Sequence, residues 1–250
     1  MTENRPAGEE SLMSHLLELR SRLVKALLTL AIVFIALIPF ANDIYSLLAK
    51  PLLDDLHGGQ LIATAPLGAF TVPLKCAFFA ALMISVPMIL YQLWAFIAPG
   101  LYKNEKRLAR PLLVVATLLF YAGCAFTYFG LLPVMFGYLF SITPEGVVMM
   151  PDIGEYLDFV LVMFLAGGVS FEVPIAVIIS VLLGWVKPAQ LSEWRGYVIV
   201  AIFIIAAIIT PPDGLSQLML AIPMCLLYEI GIITSRVLVR NRKIDLTARS

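Results

Sequence analysis

The distribution of apolar residues along the chain defines six long segments that carry almost no charged side chain. A helix that crosses a bilayer needs about 20 predominantly apolar residues. The segments therefore predict an all-α polytopic membrane protein with six transmembrane helices in a concave bundle, the fifth and sixth of them short. The predicted spans are residues 23–42, 76–100, 111–135, 159–185, 196–211 and 215–234.

Polar residues, prolines and glycines separate these spans and predict the loops between them. A long first loop is expected to hold Pro51, Gly58 and Gly59, and a charged connector of residues 104–110 follows the second span. Two prolines followed by Asp213 form a tight turn between the fifth and sixth spans. No repeat is visible, so the chain is predicted to be one transmembrane domain.

The positive charges predict the orientation of the spans. Fifteen of the 17 Lys and Arg residues fall on one side: four at the N-terminus, four in the second connector, two in the fourth and five in the tail. Short loops that are rich in Lys and Arg stay in the cytoplasm. We therefore expect both termini there, including an amphipathic segment over 11–22 and the tail over 236–250.

The composition agrees with a membrane protein and excludes several other classes. Of the 250 residues, 61% are hydrophobic, whereas soluble domains lie near 45–50%. The net charge of zero gives no indication of a nucleic-acid partner. The three cysteines and two histidines are isolated, so neither a disulfide framework nor a metal site is predicted. No phosphate-binding loop or metalloprotease motif is present, and neither a cofactor nor an enzymatic activity is expected.

Glu172 is the acidic residue in the middle of the fourth predicted span. A charged carboxylate at that depth costs roughly 2.5–3.5 kcal/mol on insertion scales, so intramembrane acids commonly have functional roles. Pro174 lacks an amide donor and is expected to kink the helix there. Two interpretations remain open: a functional carboxyl facing a water-filled cavity, or a structural hydrogen bond to another helix.

Polar side chains elsewhere suggest recognition or docking. Gln217 begins the sixth span, and its amide is expected to contact a helix of this chain or of another subunit. Glu18 and Arg22 have the spacing of a helical ion pair within the amphipathic segment, which alone favours an interfacial anchor. Glu105 is a lone acid among four bases, and is either a surface salt-bridge partner or a carboxylate that recognises a cationic ligand.

These residues leave three function classes open. A secondary transporter of a small solute would place a site at mid-membrane between repeats, and only Glu172 favours it. A membrane-embedded enzyme would need a nucleophile–base pair or a metal, and no such pattern is present. A receptor or scaffold for a polypeptide would combine a cytoplasmic recognition patch with polar docking positions, which Glu18, Glu105 and Gln217 provide.

Several sequence blocks, in this order, resemble the TatC family of twin-arginine protein translocases, in its Gram-negative bacterial form. The resemblance extends from about residue 12 to residue 236. Its blocks are HLLELRSRL at 15–23, ANDIYSLLAKPL at 41–52, YQLWAFIAPGLYKNEKR at 91–107, VSFEVP at 169–174, and TPPDGLSQ at 210–217 followed by AIPMCLLYEIG at 221–231.

The resemblance implies a six-helix receptor in the bacterial inner membrane that binds signal peptides carrying paired arginines. It further implies partnership with the single-span subunits TatB and TatA, self-association in a larger complex, and export of folded proteins driven by the proton-motive force. By matching motifs it assigns signal-peptide binding to Glu18, Arg20, Phe96 and Glu105. It assigns the intramembrane polar and partner-docking positions to Glu172, Thr210 and Gln217, and loop positions to Pro51 and Asp213.

Overall fold

The computed structural model describes residues 7–55, 62–97, 106–144, 150–210 and 213–247, and within these the side chains of 13, 16–50, 62–97, 110–144, 150–210 and 213–240. This part of the chain is built from ten α-helices without a β-strand. The helices are α1 Ala7–Leu37, α2 Ala41–Asp55, α3 Gly68–Ile97, α4 Lys106–Phe126, α5 Leu132–Ser141, α6 Ile153–Phe171, α7 Val173–Leu182, α8 Pro188–Glu193, α9 Arg195–Ile209 and α10 Gly214–Thr247. A 3₁₀ turn, Ile38–Phe40, joins α1 to α2, and a π-helical turn, Thr127–Leu131, joins α4 to α5.

Five helical segments in the described residues are long and apolar enough to cross a membrane, which confirms the predicted all-α polytopic class. They are Leu16–Lys50, Gly68–Ile97, Arg110–Ser141, Ile153–Leu182 and Gly214–Arg240. The fifth predicted span coincides with α9, which has 15 residues and is shorter than the usual spanning length. The count of six spans and the position of the termini therefore stay predictions.

The first predicted loop begins with a helix rather than with irregular chain. Leu48 and Ala49 of α2 are buried in the core, where this helix packs against α3 and α5. Asp43 lies in the first turn of α2, where a negative charge stabilises the helix dipole. Pro51, which was expected in an irregular loop, therefore lies within α2.

Small residues set the close contact between α4 and α6. A Cβ atom at Gly123 would lie 2.4 Å from the main-chain oxygen of Gly167, and one at Gly167 would lie 2.0 Å from the Thr127 hydroxyl. Helices in lipid associate largely by such close packing of small residues. Leu131, Met135 and other side chains without solvent exposure complete the core around this contact.

A second close contact joins α7 to α10. A Cβ atom at Gly231 would lie 2.9 Å from the Pro174 Cα atom. The short helix α9 packs mainly on α10, through buried Ile202 and Ala206 against Leu220. The outer face of α9 is exposed and apolar, so the α9–α10 hairpin has one packed side and one side open to lipid or to another helix.

Pro87 interrupts α3, and a neighbouring helix pairs the carbonyl that loses its helical donor. Pro87 lies within α3 and has no amide proton for the Met83 carbonyl four residues earlier. The Tyr121 hydroxyl of α4 donates to that carbonyl over 2.8 Å. The helical break is thereby compensated by a bond between two helices.

At one end of the bundle, the segment before α3 is tied to the start of α6. The Ile62 amide donates to the Pro151 carbonyl over 3.1 Å, and the Ile153 amide donates to the Ile62 carbonyl over 2.8 Å. Asp152 caps α6 and also accepts bonds from the Thr64 amide and hydroxyl, at 2.8 and 2.6 Å. These bonds, that from the Thr64 hydroxyl foremost, lower the pKa of Asp152 to about 2.

In the middle and second half of α10, polar bonds connect that helix to α8 and α9. Arg195 forms a bidentate ion pair with Glu229, at 2.6 and 2.8 Å. The Tyr228 hydroxyl donates to the Leu191 carbonyl over 2.8 Å. Arg236 also donates to the Ser192 hydroxyl. The α9–α10 hairpin is therefore anchored at its open end.

Candidate functional site

Glu18 lies in the N-terminal half of α1, which runs without interruption from the amphipathic segment into the first span. Arg22 donates to Glu18 through Nε at 3.0 Å and through a terminal nitrogen at 2.5 Å, and both bonds end on Oε1. The predicted helical ion pair is therefore confirmed. No described residue bonds to Oε2 of Glu18, so this half-buried carboxylate has one oxygen available for a further cationic group.

Arg20 and Phe96 share the end of the molecule where Glu18 lies. The rings of Phe34 in α1 and Phe78 in α3 are 5.5 Å apart, so the two helices are neighbours at that height. Glu18 lies 16 residues before Phe34 and Phe96 lies 18 residues after Phe78, which correspond to about 24 and 27 Å along straight helices. Because α1 and α3 belong to consecutive segments that can cross the membrane, they run in opposite directions, and both residues lie at the same end of the pair. Arg20, two residues after Glu18, is exposed.

Trp94 is a buried residue near the C-terminal end of α3 and holds that end of the helix in place. Trp94 packs with Ala116 of α4 and Ile175 of α7. Phe96 follows it and is half-buried. A bulky anchor therefore fixes the turn of helix that presents Phe96. Glu105, the second carboxylate that the sequence predicts for this patch, lies outside the described residues.

Glu172 stands between α6 and α7, where the predicted helical irregularity is confirmed. Its side chain is half-buried, and its Oε1 atom is buried without a hydrogen-bond partner among the described residues. Val162, Leu165 and Val169 precede it on the same helical face and are exposed. Glu172 therefore ends an exposed apolar stripe along α6, and the structural hydrogen bond that the sequence left open is absent from the described residues.

The turn between α9 and α10 brings three predicted residues together. The Gln217 amide donates to the Phe203 carbonyl over 3.0 Å, so one of its bonds is internal to the hairpin. The Thr210 hydroxyl donates to the Ala206 carbonyl over 2.9 Å. Asp213 caps α10 by accepting from the Ser216 amide over 2.7 Å. These bonds fix the turn and orient its polar groups.

Two buried polar atoms at this turn have no hydrogen-bond partner among the described residues. They are Oδ1 of Asp213 and the hydroxyl oxygen of Ser216, whose side chain has no exposure. Burying polar groups without hydrogen bonds is costly, and such groups in native proteins commonly meet water or a partner. Ser216 was missed from the sequence because a serine in the first turn of a helix is an ordinary feature there.

Pro51 leaves a carbonyl of α2 without its helical donor, and the bond to that carbonyl helps to position α2. A proline at this position leaves the Leu47 carbonyl, four residues earlier, without its helical donor. The Tyr128 hydroxyl donates to that carbonyl over 3.1 Å, and the Tyr156 hydroxyl donates to the next one, at Leu48, over 3.3 Å. Tyr128 was not predicted, because its position depends on the π-helical turn that contains it.

No cluster of three or more His, Cys, Asp or Glu side chains that would hold a metal ion occurs in the described part of the chain. The polar groups of the candidate sites are instead carboxylates, amides and hydroxyls directed at neighbouring helices or at the surface. Such groups suit the recognition of a polypeptide and the docking of helices.

The chain is similar to known proteins over most of its length. Residues 14–223 match the family model described as Sec-independent protein translocase protein (TatC). The TatC protein of Azotobacter chroococcum is 49% identical over 231 residues, covering 91% of each chain. That of Escherichia coli K12 is 48% identical, covering 94% of this chain and 92% of its own. A crystal structure of the twin-arginine translocase receptor TatC superposes with a TM-score of 0.78, at 36% identity, over 89% of this chain and 98% of the other.

Proposed function

The chain belongs to the TatC family of Sec-independent protein translocases, and we propose that it is the subunit that binds twin-arginine signal peptides. As a family member it is a multispanning membrane component of protein translocation and not an enzyme. Family membership removes support from the alternative of a small-solute transporter. We place it in the bacterial inner membrane, with six spans and both termini in the cytoplasm.

The available carboxylate oxygen of Glu18 is the observation that carries this proposal. A guanidinium group pairs with a carboxylate through directed hydrogen bonds, whereas lysine offers a point charge without that geometry. Arg22 occupies only Oε1 of Glu18. A signal-peptide arginine therefore has an acceptor in Oε2 without first displacing Arg22.

Phe96 and Glu105 complete the proposed recognition patch. Phe96 lies at the same end of the molecule as Glu18 and offers an apolar surface to the residues that follow the arginine pair. We assign to Glu105 the binding of the second arginine of the signal peptide, because Glu105 matches the family motif in YQLWAFIAPGLYKNEKR. The exposed guanidinium of Arg20 belongs to the same patch. Two carboxylates facing two arginines would explain a requirement for the pair.

The remaining polar positions support a role in assembly. The turn with Thr210, Asp213 and Gln217 carries two buried polar atoms that have no partner among the described residues, beside the exposed apolar face of α9. A single-span helix with a polar residue would satisfy both features, and we assign this surface to TatB and TatA. The part of the apolar stripe nearest Glu172, with exposed Val169, is assigned to the apolar stretch of the signal. If Glu172→Gln leaves transport unchanged across the working pH range, Glu172 has no titrating role in proton-driven transport.

Site-specific photocrosslinking in membranes tests the recognition step. A photoreactive residue replaces Phe96, which leaves both carboxylates in place, and a precursor is offered with Arg-Arg or with Lys-Lys. We expect a crosslink with Arg-Arg, its loss with Lys-Lys, and its loss in the Glu18→Gln variant. The same probe at Phe70, an exposed aromatic near the other end of α3, is the matched control. Equal crosslinking of both precursors at residue 96 would exclude this patch as the arginine receptor.

A further inference from the structure

An apolar groove of about 500 Å³ opens between α1, α3 and α6. Its walls include Phe34 of α1, Phe78 and Leu82 of α3, and Val162 and Leu165 of α6. All three helices belong to segments that are long and apolar enough to span a membrane. The groove therefore lies within the bilayer region, where an apolar cleft is filled by hydrocarbon rather than by water.

An ion pair borders this groove in the part that is nearer the start of α3 and α6. Lys75 lines the groove with its apolar stem, and its ammonium contacts both carboxylate oxygens of Asp158 at 2.7 and 2.8 Å. The pair is about half-exposed, at 49% for Lys75 and 56% for Asp158. Lys75 is the eighth residue of α3 and Asp158 the sixth of α6. The pair therefore lies roughly 8–10 Å inside the helix ends, a depth that borders the headgroup region.

We propose that this groove binds one acyl chain of a phospholipid whose headgroup carries a phosphate and a primary ammonium, as in phosphatidylethanolamine. Two contacts with Asp158 leave the ammonium of Lys75 with a further N–H for the lipid phosphate. The carboxylate of Asp158 retains lone pairs for the lipid ammonium. The headgroup and the ion pair are therefore complementary in charge at both positions, and the acyl chain fills the apolar cleft below them.

The neutrality of the ion pair distinguishes among lipids. An anionic headgroup would gain at Lys75 but lose at Asp158, because its charge has no compensating ammonium. A quaternary ammonium has no N–H to donate to the carboxylate. Among phosphatidylethanolamine, phosphatidylcholine and phosphatidylglycerol, only the first combines a phosphate for Lys75 with a positively charged N–H donor for Asp158.

A polypeptide segment fits the groove less well than an acyl chain does. Among the described residues of its lining, only Thr71 has a hydroxyl, and that hydroxyl already donates to the Leu67 carbonyl over 3.0 Å. An extended segment would therefore leave its backbone groups unpaired in an apolar site, at a cost of several kcal/mol per group. Glu172, beside which the signal's apolar stretch is proposed to insert, follows Val162 by ten residues, or about 15 Å of helix. The lipid site does not depend on the signal-peptide proposal.

Lipid binding to the purified full-length chain tests this inference. The protein in detergent is offered an equimolar mixture of phosphatidylethanolamine, its N-trimethylated counterpart phosphatidylcholine, and phosphatidylglycerol, all with the same acyl chains. Native mass spectrometry then measures the bound fraction of each. We expect a preference for phosphatidylethanolamine of about twofold to fivefold, the range that corresponds to an exposed ion pair.

The variant K75Q/D158N is expected to lose this preference, because it removes both charges and keeps the side-chain sizes. R195Q/E229Q removes a pair of similar exposure, 45% and 37%, outside the groove, and is expected to retain it. The charge swap K75D/D158K keeps a neutral pair and is expected to retain the preference. It controls for a loss of preference in K75Q/D158N that results from misfolding. Equal binding of the three lipids, an unchanged preference in K75Q/D158N, or exclusion of lipid by an apolar peptide crosslinked at residue 165 would overturn the proposal.

Discussion

The hydroxyl of Tyr121 donates a hydrogen bond of 2.8 Å to the main-chain oxygen of Met83. That oxygen is the one acceptor in α3 that Pro87 deprives of its helical donor. Tyr128 stands in the same relationship to Leu47, over 3.1 Å, with Pro51 four residues beyond. Two tyrosines seven residues apart thus compensate two proline interruptions in two other helices. Each proline leaves one carbonyl without its helical donor, and a tyrosine hydroxyl from another part of the bundle donates a hydrogen bond to that carbonyl.

Replacing Tyr121 with phenylalanine is expected to destabilise the protein through the Met83 carbonyl. The aromatic packing is kept, but the carbonyl loses its donor, at a cost of about 0.5–1.5 kcal/mol. In a Pro87→Ala background the residue at 87 supplies its own amide, and the cost of Tyr121→Phe should fall towards zero. The free energy of unfolding in detergent, measured for the four proteins of this double-mutant cycle, gives the coupling.

Tyr197→Phe serves as the matched control for this cycle. Its side chain is 80% exposed and its hydroxyl bonds to no described residue. The substitution should leave the unfolding free energy unchanged within about 0.5 kcal/mol. A cost of Tyr121→Phe that is the same with proline and with alanine at position 87 would refute the compensation of the helical break by Tyr121.

The contact between α4 and α6 is expected to tolerate no side chain at Gly167. A Cβ atom there would lie 2.0 Å from the Thr127 hydroxyl, so Gly167→Ala must separate the helices or rotate Thr127. Overpacking of this kind costs about 1–3 kcal/mol. Gly137→Ala in α5 is the control, because nothing lies within 4 Å of its added carbon, and that change should be neutral or stabilising. Thermal unfolding of both variants in the same detergent makes the comparison; equal midpoints would contradict the close contact.

The junction at Asp152, which ties the segment before α3 to the start of α6, is expected to weaken only in strong acid. The pKa of Asp152 is about 2, below its usual 3.8, chiefly because the Thr64 hydroxyl bonds to the carboxylate. A lowered pKa means that the junction is fully stabilised above pH 4 and loses this contribution as the pH falls through about 2. A carboxyl titration by NMR with isotope-labelled aspartate measures the pKa directly.

Two variants test the origin of that pKa. Thr64→Val removes the hydroxyl and should raise the pKa of Asp152 towards 3.8. Glu155→Gln changes a neighbouring carboxylate whose side chain makes no hydrogen bond among the described residues, and should leave the pKa of Asp152 where it was. An unshifted pKa in Thr64→Val would mean that the backbone amides of residue 64 and of the helix N-terminus lower it without the hydroxyl.

The sequence predicts the features that follow from local chemistry. Hydrophobic segments indicate the membrane class, and the Glu172-Val173-Pro174 run predicts a break in the fourth span. The pair of Glu18 and Arg22 follows from helical spacing alone. The unpaired carbonyls of Leu47 and Met83 are not among these features, because they require each proline to lie within a helix and the sequence predicts a loop at Pro51.

Long-range partners lie beyond such reasoning. The tyrosines that satisfy those carbonyls are 81 and 38 residues away, and one of them is oriented by a π-helical turn for which the sequence has no clear signal. Lys75 and Asp158 are 83 residues apart and meet only because α3 and α6 begin at the same end. The helix α2 was missed because Pro51 indicates a loop, while the burial of Leu48 and Ala49 depends on α3 and α5.

Gln217 has an internal bond to Phe203 and a proposed role in docking, and these two functions are separable. Gln217→Leu should lower the unfolding free energy by about 0.6–1 kcal/mol, because one hydrogen bond between helices is lost. It should also reduce crosslinking of TatB and TatA to probes on the exposed face of α9. Leu220→Ala, a buried change in the same hairpin, costs about 2–5 kcal/mol and leaves the polar turn intact, so crosslinking should persist in the folded fraction. If Gln217→Leu retains normal crosslinking, its amide serves only the hairpin, and the docking surface must be assigned to the apolar face of α9 alone.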